Sequence, residues 1–164
     1  MLLNFGDWQF DVDMAATMAY SAQEAAENCD CAYCRNYFLA ADPQLRALLG
    51  SFGLDLEAPD ELMPYDFHGE MQYEGYYAVA GRVLQRGEKP FACGNALVVP
   101  CVNGESRVNT GIAGPYFLLN VSVTLSWVLD EPMQEVLSPA NEPPFLKKMW
   151  LRLLEKLGKG DIQT

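Results

Sequence analysis

The sequence predicts an α+β fold in which N-terminal helices and a C-terminal amphipathic helix pack on an antiparallel β-meander of about four strands. Cap signals and a high alanine content indicate helices over about residues 11–63. Over about residues 73–129 the apolar period changes to two, which is typical of strands with one buried face. An amphipathic helical pattern returns at about residues 144–158. Because 164 residues suit one hydrophobic core, we expect residues 1–164 to form a single domain.

Two helices are expected before the first proline. Asp11 or Asp13 is placed to cap the first helix, because an aspartate side chain accepts hydrogen bonds from the free N–H groups of a first turn. This helix runs through an alanine-rich stretch and ends near Asn28. Asp30 is expected to cap the second helix, from Cys31 to Ala41.

The third helix is expected to begin at Asp42-Pro43, which has the N-cap and N1 signature of a helix start. Glycine closes helices readily, so Gly50 or Gly53 is expected to end it. Residues 55–63 are expected to form a loop or a single turn. The apolar face of the third helix carries Leu45, Leu48, Leu49 and Phe52.

The middle of the chain is expected to form three strands. The first spans Tyr73 to Gln85 and ends in a turn at residues 86–89. The second spans Phe91 to Val102, and the Asn103-Gly104 pair after it is a strong hairpin signal. A short strand at Ser106 to Ile112 is expected to pair back across that turn.

The clearest strand follows Gly114-Pro115. Its alternate residues are apolar and the residues between them are mostly polar, so one face is expected in the core and the other against water or a polar partner. The apolar face carries Phe117, Leu119, Val121, Val123, Leu125, Trp127 and Leu129. The other face carries Tyr116, Asn120, Ser122, Thr124 and Ser126.

The C-terminal helix is expected after a proline-rich connector at residues 139–144. Apolar residues occupy one face and basic residues the other, and Gly158 ends the helix. The apolar face carries Phe145, Leu146, Met149, Trp150, Leu153, Leu154 and Leu157, and the basic residues are Lys147, Lys148, Arg152 and Lys156.

The composition restricts the class of partner. Half of the residues are apolar, which argues against a disordered tail. Residues 1–75 carry 14 acidic and 2 basic side chains, whereas residues 76–164 carry 8 acidic and 9 basic ones. Nucleic-acid binding depends on Lys and Arg at the phosphates, so we expect no nucleic-acid partner.

The location of the protein is inferred from what the sequence lacks. The N-terminal residues show no basic segment followed by an apolar run, so no secretory signal is expected. The longest apolar-looking stretch, residues 112–129, alternates with polar residues, and no membrane-spanning helix is expected. We therefore expect a soluble cytoplasmic protein with reduced thiols.

The segment that most clearly indicates a functional site is the C-x-C-x-x-C motif formed by Cys29, Cys31 and Cys34. At the opening turn of a helix the three sulfurs can point toward the positive end of the helix, where thiolate is favoured. Zinc takes four thiolate or imidazole ligands in a tetrahedron. The sequence therefore predicts a zinc site at these three cysteines, with the only histidine, His68, as the fourth ligand.

Other interpretations of the triplet stay open. The cysteines can be buried structural thiols, as free cysteines often are. Alternatively, Cys31 and Cys34 form the C-x-x-C pair of a small thiol-redox enzyme, although no strand of a βαβ unit precedes them. Cys93 and Cys101 are also soft ligands, but they lie eight residues apart on one expected strand, so at most one can reach the triplet.

No complete catalytic set is apparent in the sequence. It contains no G-x-S-x-G nucleophile elbow, no G-x-G-x-x-G motif and no P-loop. Carboxylates are abundant, and no spacing singles out a pair for acid–base chemistry. We therefore predict no catalytic residue and favour a protein that is not an enzyme.

The segment Cys29-Asp30-Cys31-x-x-Cys34-Arg35-Asn36-Tyr37, together with Trp127-Val128-Leu129-Asp130-Glu131-Pro132, resembles a family of small uncharacterised bacterial proteins. That family shares a C-x-C-x-x-C-[RK]-N-[FY] segment and a later L-P-W-V-L-D-E-like segment, and the Tyr76-Tyr77 pair agrees as well. Ser126 stands where the family pattern has proline. The resemblance implies a bacterial or phage source and a shared role for the cysteines, but no substrate.

The functional hypothesis is a non-catalytic binding or adaptor domain with a structural metal at the cysteine triplet and another protein as its partner. One alternative is a thiol-redox enzyme that uses Cys31 and Cys34. The other is an acidic inhibitor or immunity-type protein, whose association with a basic partner would weaken with salt.

Overall fold

The computed structural model describes residues 1–26, 29–67, 70–102 and 110–133, which contain three helices and seven strands. All strand pairs are antiparallel, so the predicted α+β class with an antiparallel sheet is confirmed. The expected number of about four strands is too low. The elements are β1 (Leu2–Phe5), β2 (Trp8–Val12), α1 (Met14–Ala26), α2 (Ala32–Ala40), α3 (Pro43–Ser51), β3 (Glu61–Phe67), β4 (Glu70–Gln85), β5 (Phe91–Cys93), β6 (Ala96–Val102) and β7 (Tyr116–Leu125).

The sheet is organised around β4, which has 16 residues. The strand order is β1-β2-β4-β7-β6-β5, with β3 also paired to β4. One edge of β4 pairs with β7 over residues 71–80, and the other edge is shared by β3 along residues 70–76 and by β2 along residues 81–85. Since β4 and β7 are neighbours although β5 and β6 lie between them in sequence, the sheet is not the simple meander that we predicted.

The shared edge of β4 has a short gap between β3 and β2, and side chains close it. The backbone N–H of Ala78 donates to a carboxylate oxygen of Asp60 at 2.6 Å. The N–H of Ala80 donates to the hydroxyl of Thr17, on α1, at 3.1 Å. These bonds satisfy backbone groups that would otherwise be buried without a partner.

The N-terminal hairpin of β1 and β2 was not predicted. Gly6 lies in its turn with a φ of +55°, a conformation that glycine adopts without steric cost. Along β2, buried Trp8, Phe10 and Val12 alternate with exposed residues. This period of two over five residues was the available signal.

The helix starts are only partly as expected. Asp13 caps α1 and accepts a hydrogen bond from the N–H of Ala16 at 3.1 Å, and Asp42 caps α3 through the N–H of Gln44 at 2.7 Å. Both caps are confirmed. The expected Asp30 cap of α2 is wrong, because the N-cap residue is Cys31.

Two predicted segments, residues 55–63 and residues 91–102, differ in part from the structure. Residues 55–60 form turns and irregular structure as expected, but residues 61–63 already belong to β3. This strand contains Pro64, which is tolerated because β3 pairs only with β4 and is an edge strand. The expected strand from Phe91 to Val102 is divided into β5 and β6 by a turn at Gly94, whose φ is +58°. Thr110 to Ile112 are not in a strand, and the Asn103-Gly104 turn lies outside the described residues.

The core lies between the helices and one face of the sheet. Along β7 the predicted apolar face is buried as far as Leu125, where the strand ends, so Trp127 and Leu129 lie beyond it. On the other face Leu118 and Asn120 are also buried, and only Thr124 is exposed. The expected connector at residues 139–144 and the expected helix at 144–158 lie outside the described residues. The largest fully buried side chains are Tyr37, Tyr73, Tyr77, Phe10, Phe52, Phe117, Leu45, Leu49, Leu56, Met71, Leu119 and Val12.

In the part of the chain that the structure describes, no helix has the length and apolar character needed to cross a membrane.

Candidate metal centre

The three cysteines of the C-x-C-x-x-C segment converge at the start of α2. Cys31 is the N-cap residue, and Cys34 is the third residue of the helix, so their side chains lie on the same side of the first turn. Their Sγ atoms are 3.5 Å apart. With Cys29, which precedes the helix, all three Sγ atoms lie within 4.8 Å of one another.

This spacing suits a bound metal ion. In a tetrahedral zinc site with Zn–S bonds of ~2.3 Å, the sulfurs are roughly 3.8 Å apart. All three cysteines are free thiols; Cys29 and Cys31 are exposed and Cys34 is buried. The three residues can therefore supply three ligands to one ion without a large rearrangement.

The two helix cysteines differ in acidity. Burial raises the pKa of Cys31, but the backbone amides of Cys34 and Tyr33 and the neighbouring thiols favour its thiolate, and the net result is a lowered pKa. Burial raises the pKa of Cys34, and the adjacent sulfurs of Cys31 and Cys29 raise it further. Metal binding at the triplet would therefore displace a proton from Cys34.

A segment from the end of β7, residues 126–131, packs against the start of α2. Asn36 is fully buried and joins the two. Its Oδ1 accepts from the N–H of Val128 at 2.7 Å, and its Nδ2 donates to the backbone oxygen of Ser126 at 3.2 Å and to the Tyr73 hydroxyl at 3.0 Å. Every hydrogen-bonding atom of this side chain thus has a partner in the core or in the segment.

Contacts on the outer side of the same junction involve charge and aromatic rings. The Arg35 guanidinium pairs with the Glu131 carboxylate and donates to the backbone oxygen of Asp30 at 2.6 Å. The rings of Tyr33 and Trp127 meet edge to face with centroids 5.7 Å apart. The start of α2 is therefore held from both the buried and the exposed side.

The other candidate ligands are His68, Cys93 and Cys101. His68 lies outside the described residues. Cys93 and Cys101 lie on β5 and β6, and among the described residues neither they nor any carboxylate joins the three sulfurs as a potential fourth ligand.

The partners of the cysteine turn were missed in the sequence. Asn36 was noted only as part of the resemblance, and Trp127 was also assigned to the apolar face of the last strand. No local pattern indicated that the two segments touch, because Arg35 and Glu131 are 96 residues apart. Comparisons of the chain with protein-family models, with curated proteins and with solved structures found no match.

Proposed function

We propose that the protein is a non-catalytic binding domain in which Cys29, Cys31 and Cys34 hold a structural zinc ion. The observation that carries this proposal is the convergence of three free sulfurs within 4.8 Å at one helix start. Thiolates are soft ligands and select zinc, copper(I) or iron–sulfur clusters over harder ions. Zinc is proposed because three thiolates and one imidazole form a common structural zinc set.

His68 is the proposed fourth ligand, and the sheet register supports this choice. The residues before and after the 68–69 pair, Phe67 and Glu70, are partners at the end of the β3–β4 hairpin. The adjacent Met71 pairs with Leu125, the last residue of β7, from which the chain continues to the segment that contacts α2. Phe67 and Glu70, which flank the 68–69 pair in sequence, therefore lie at the end of the sheet where the cysteine turn is packed.

A zinc ion at this position would act on the fold by joining segments. It would tie Cys29, which precedes α2, to the first turn of the helix. The residues that follow Cys34 in α2, Arg35 and Asn36, hold residues 126–131. Since Cys31 and Cys34 bind next to these contacts, we expect metal loss to loosen the junction and to lower the stability of the whole domain. The partner of the domain is proposed to be another protein, because its acidic charge disfavours nucleic acid.

The metal is tested by elemental analysis of the purified protein and by cobalt(II) substitution, whose absorption bands report thiolate ligands and tetrahedral geometry. We expect one equivalent of metal and a loss of affinity of at least about tenfold in C29S, C31S and C34S. C93S, which changes a half-buried cysteine on β5, is the matched control and should bind normally. H68Q should shift the cobalt spectrum while the thiolate bands remain.

Substoichiometric metal in the wild type, or equal effects of C93S and the triplet variants, would contradict the zinc proposal. An unchanged cobalt spectrum in H68Q would contradict the assignment of the fourth ligand alone.

A thiol-redox function is the second candidate, and one feature favours it. The Cys31 and Cys34 sulfurs are 3.5 Å apart, with Cys31 exposed and Cys34 buried, as in pairs where an exposed thiol attacks and a buried one resolves the mixed disulfide. C29S distinguishes the two functions. It should leave exchange with a glutathione buffer unchanged if Cys31 and Cys34 act as a redox pair, and it should weaken metal binding if the triplet is a metal site.

A further inference from the structure

A second set of polar side chains lies on the face of the sheet opposite the helices. Gln72 and Glu74 alternate along β4 with the core residues Met71 and Tyr73, so they point away from the helices. Asn120 occupies the same face of the neighbouring β7. These three polar residues are 5%, 4% and 2% exposed, respectively. They are as buried as the apolar core.

Several hydrogen-bonding atoms of this polar set have no partner within the described structure. They are Oε1 of Gln72, Oε1 of Glu74, and both Oδ1 and Nδ2 of Asn120. Gln72 does use its Nε2, which donates to the Ser122 hydroxyl at 3.3 Å. A buried polar atom without a partner costs about 1–3 kcal/mol, so four such atoms on adjacent strands call for a missing partner.

The unpaired atoms define the chemistry of that partner. Three of the four are acceptors, and one of these belongs to a carboxylate, so the partner must donate several hydrogen bonds and carry positive charge. A primary ammonium group has three N–H donors and one positive charge. Tyr65 and Tyr76 occupy the same face, paired in register with Gln72 and Asn120, and tyrosine rings attract cations.

The ionisation of Glu74 agrees with this chemistry. Burial raises the pKa of Glu74 to about 6. The Asn120 amide lies close enough to offset part of this effect, although its Nδ2 is outside hydrogen-bonding geometry. The carboxyl is therefore mostly ionised at neutral pH in a buried position. Burying an ionised carboxylate is costly unless it is paired with a cation and hydrogen-bonded.

We propose that this face of the sheet binds a small molecule through a primary ammonium group, with Glu74 as the counterion and Gln72 and Asn120 as hydrogen-bonding partners. The face reaches the surface at Thr124, which is exposed and pairs with Gln72, and at half-buried Ser122. Apolar Met63 and Leu97 flank Glu74 and Ser122 in the same row across the sheet and suit an aliphatic chain next to the ammonium.

The test is carboxyl ¹³C NMR of the full-length protein during titration with n-butylammonium. We expect a saturable shift of the Glu74 signal and a fall in its pKa below 6. Tetramethylammonium has the charge but no N–H donor, and butanol lacks the charge, so both should have little effect.

Variants assign the binding to the proposed residues. E74Q keeps the side-chain shape and should weaken n-butylammonium binding at least about tenfold, because the charge is lost. E70Q removes an exposed acid four residues earlier on the same strand and is the matched control. Binding that is equal in E74Q and E70Q, or equal for tetramethylammonium, would overturn the proposal. A Glu74 pKa already below 4.5 in the free protein would also overturn it, since the chain would then supply its own cation.

Discussion

The two faces of the β4–β7 pair bury polar side chains to the same extent and satisfy them to opposite degrees. On the face that packs against the helices, the hydroxyls of Tyr37 and Tyr77 are 2.9 Å apart, and Tyr77 donates to the backbone oxygen of Leu56 at 2.8 Å. The Tyr73 hydroxyl accepts from Asn36. On the opposite face, Glu74 and its neighbours leave several atoms without a partner among the residues that the structure describes.

This difference in hydrogen bonding indicates which buried polar groups stabilise the fold. Native cores rarely leave polar atoms unpaired, so a fully paired set specifies the packing of α2 on the sheet. A set with several unpaired atoms lowers stability and persists where it is used for another purpose. The comparison can be tested by perturbing each face in turn.

The largest expected effect is on the face that packs against the helices. N36A removes three hydrogen bonds and leaves the N–H of Val128 and the backbone oxygen of Ser126 without their partner. We expect the free energy of unfolding to fall by roughly 3 kcal/mol in urea denaturation. N95A removes a single bond from an exposed asparagine to Thr124 and is the control. If both variants lose the same amount, the buried network does not specify the packing.

On the opposite face, the ionisation of Glu74 should make the stability of the protein depend on pH. The folded pKa of Glu74, about 6, lies above its ordinary value of 4.5. Folding therefore favours the protonated form, and the contribution of Glu74 to stability is fully present below pH 4.5 and is lost as the pH rises through 6. Relative to E74Q, the wild type should lose about 2 kcal/mol between pH 4.5 and 7.

This pH effect is measured by urea denaturation of the wild type and of E74Q across the same pH range, without added amines. E70Q, which removes an exposed acid from the same strand, is measured in the same way for comparison. A difference between the wild type and E74Q that does not change with pH would show that the Glu74 carboxyl is solvated in the folded protein.

The smallest expected effect returns to the face that packs against the helices. Y73F removes one hydrogen bond, while Asn36 keeps its bond to the Ser126 oxygen, so the loss should be about 1 kcal/mol. Y65F removes only a weak contact to the Met63 sulfur at 3.5 Å on the opposite face. In thermal unfolding, Y73F should be less stable than Y65F. The opposite order would show that the hydrogen bonds on the face packed against the helices do not contribute more to stability.

Local signals predicted the parts of the fold that depend on local chemistry. The Asp42-Pro43 start of α3, the Asp13 cap of α1 and the alternation of β7 are each encoded within a few residues. The convergence of the cysteine triplet also follows from local spacing, because N-cap and third-residue side chains meet on any helix.

The remaining features depend on long-range packing and have no local signature. The alternation of β7 placed Asn120 on a face open to water or a polar partner, yet it is 2% exposed. Nothing near Asn36 indicates that its amide is matched to residues 126–128. Proline is rare inside strands, and only the topology makes β3 an edge strand where Pro64 is tolerated.

The division of one edge of β4 between two short strands has a consequence for handling the protein. Exposed backbone N–H and C=O groups on a long strand recruit strands from other molecules and nucleate aggregates. The β1–β2 hairpin covers residues 81–85 of that edge, and Asp60 and Thr17 seal the gap beside it. An N-terminal fusion or a truncation that displaced the hairpin would leave the edge of β4 at residues 81–85 unpaired. The protein would then self-associate through this edge, even with the cysteine turn and the helices intact.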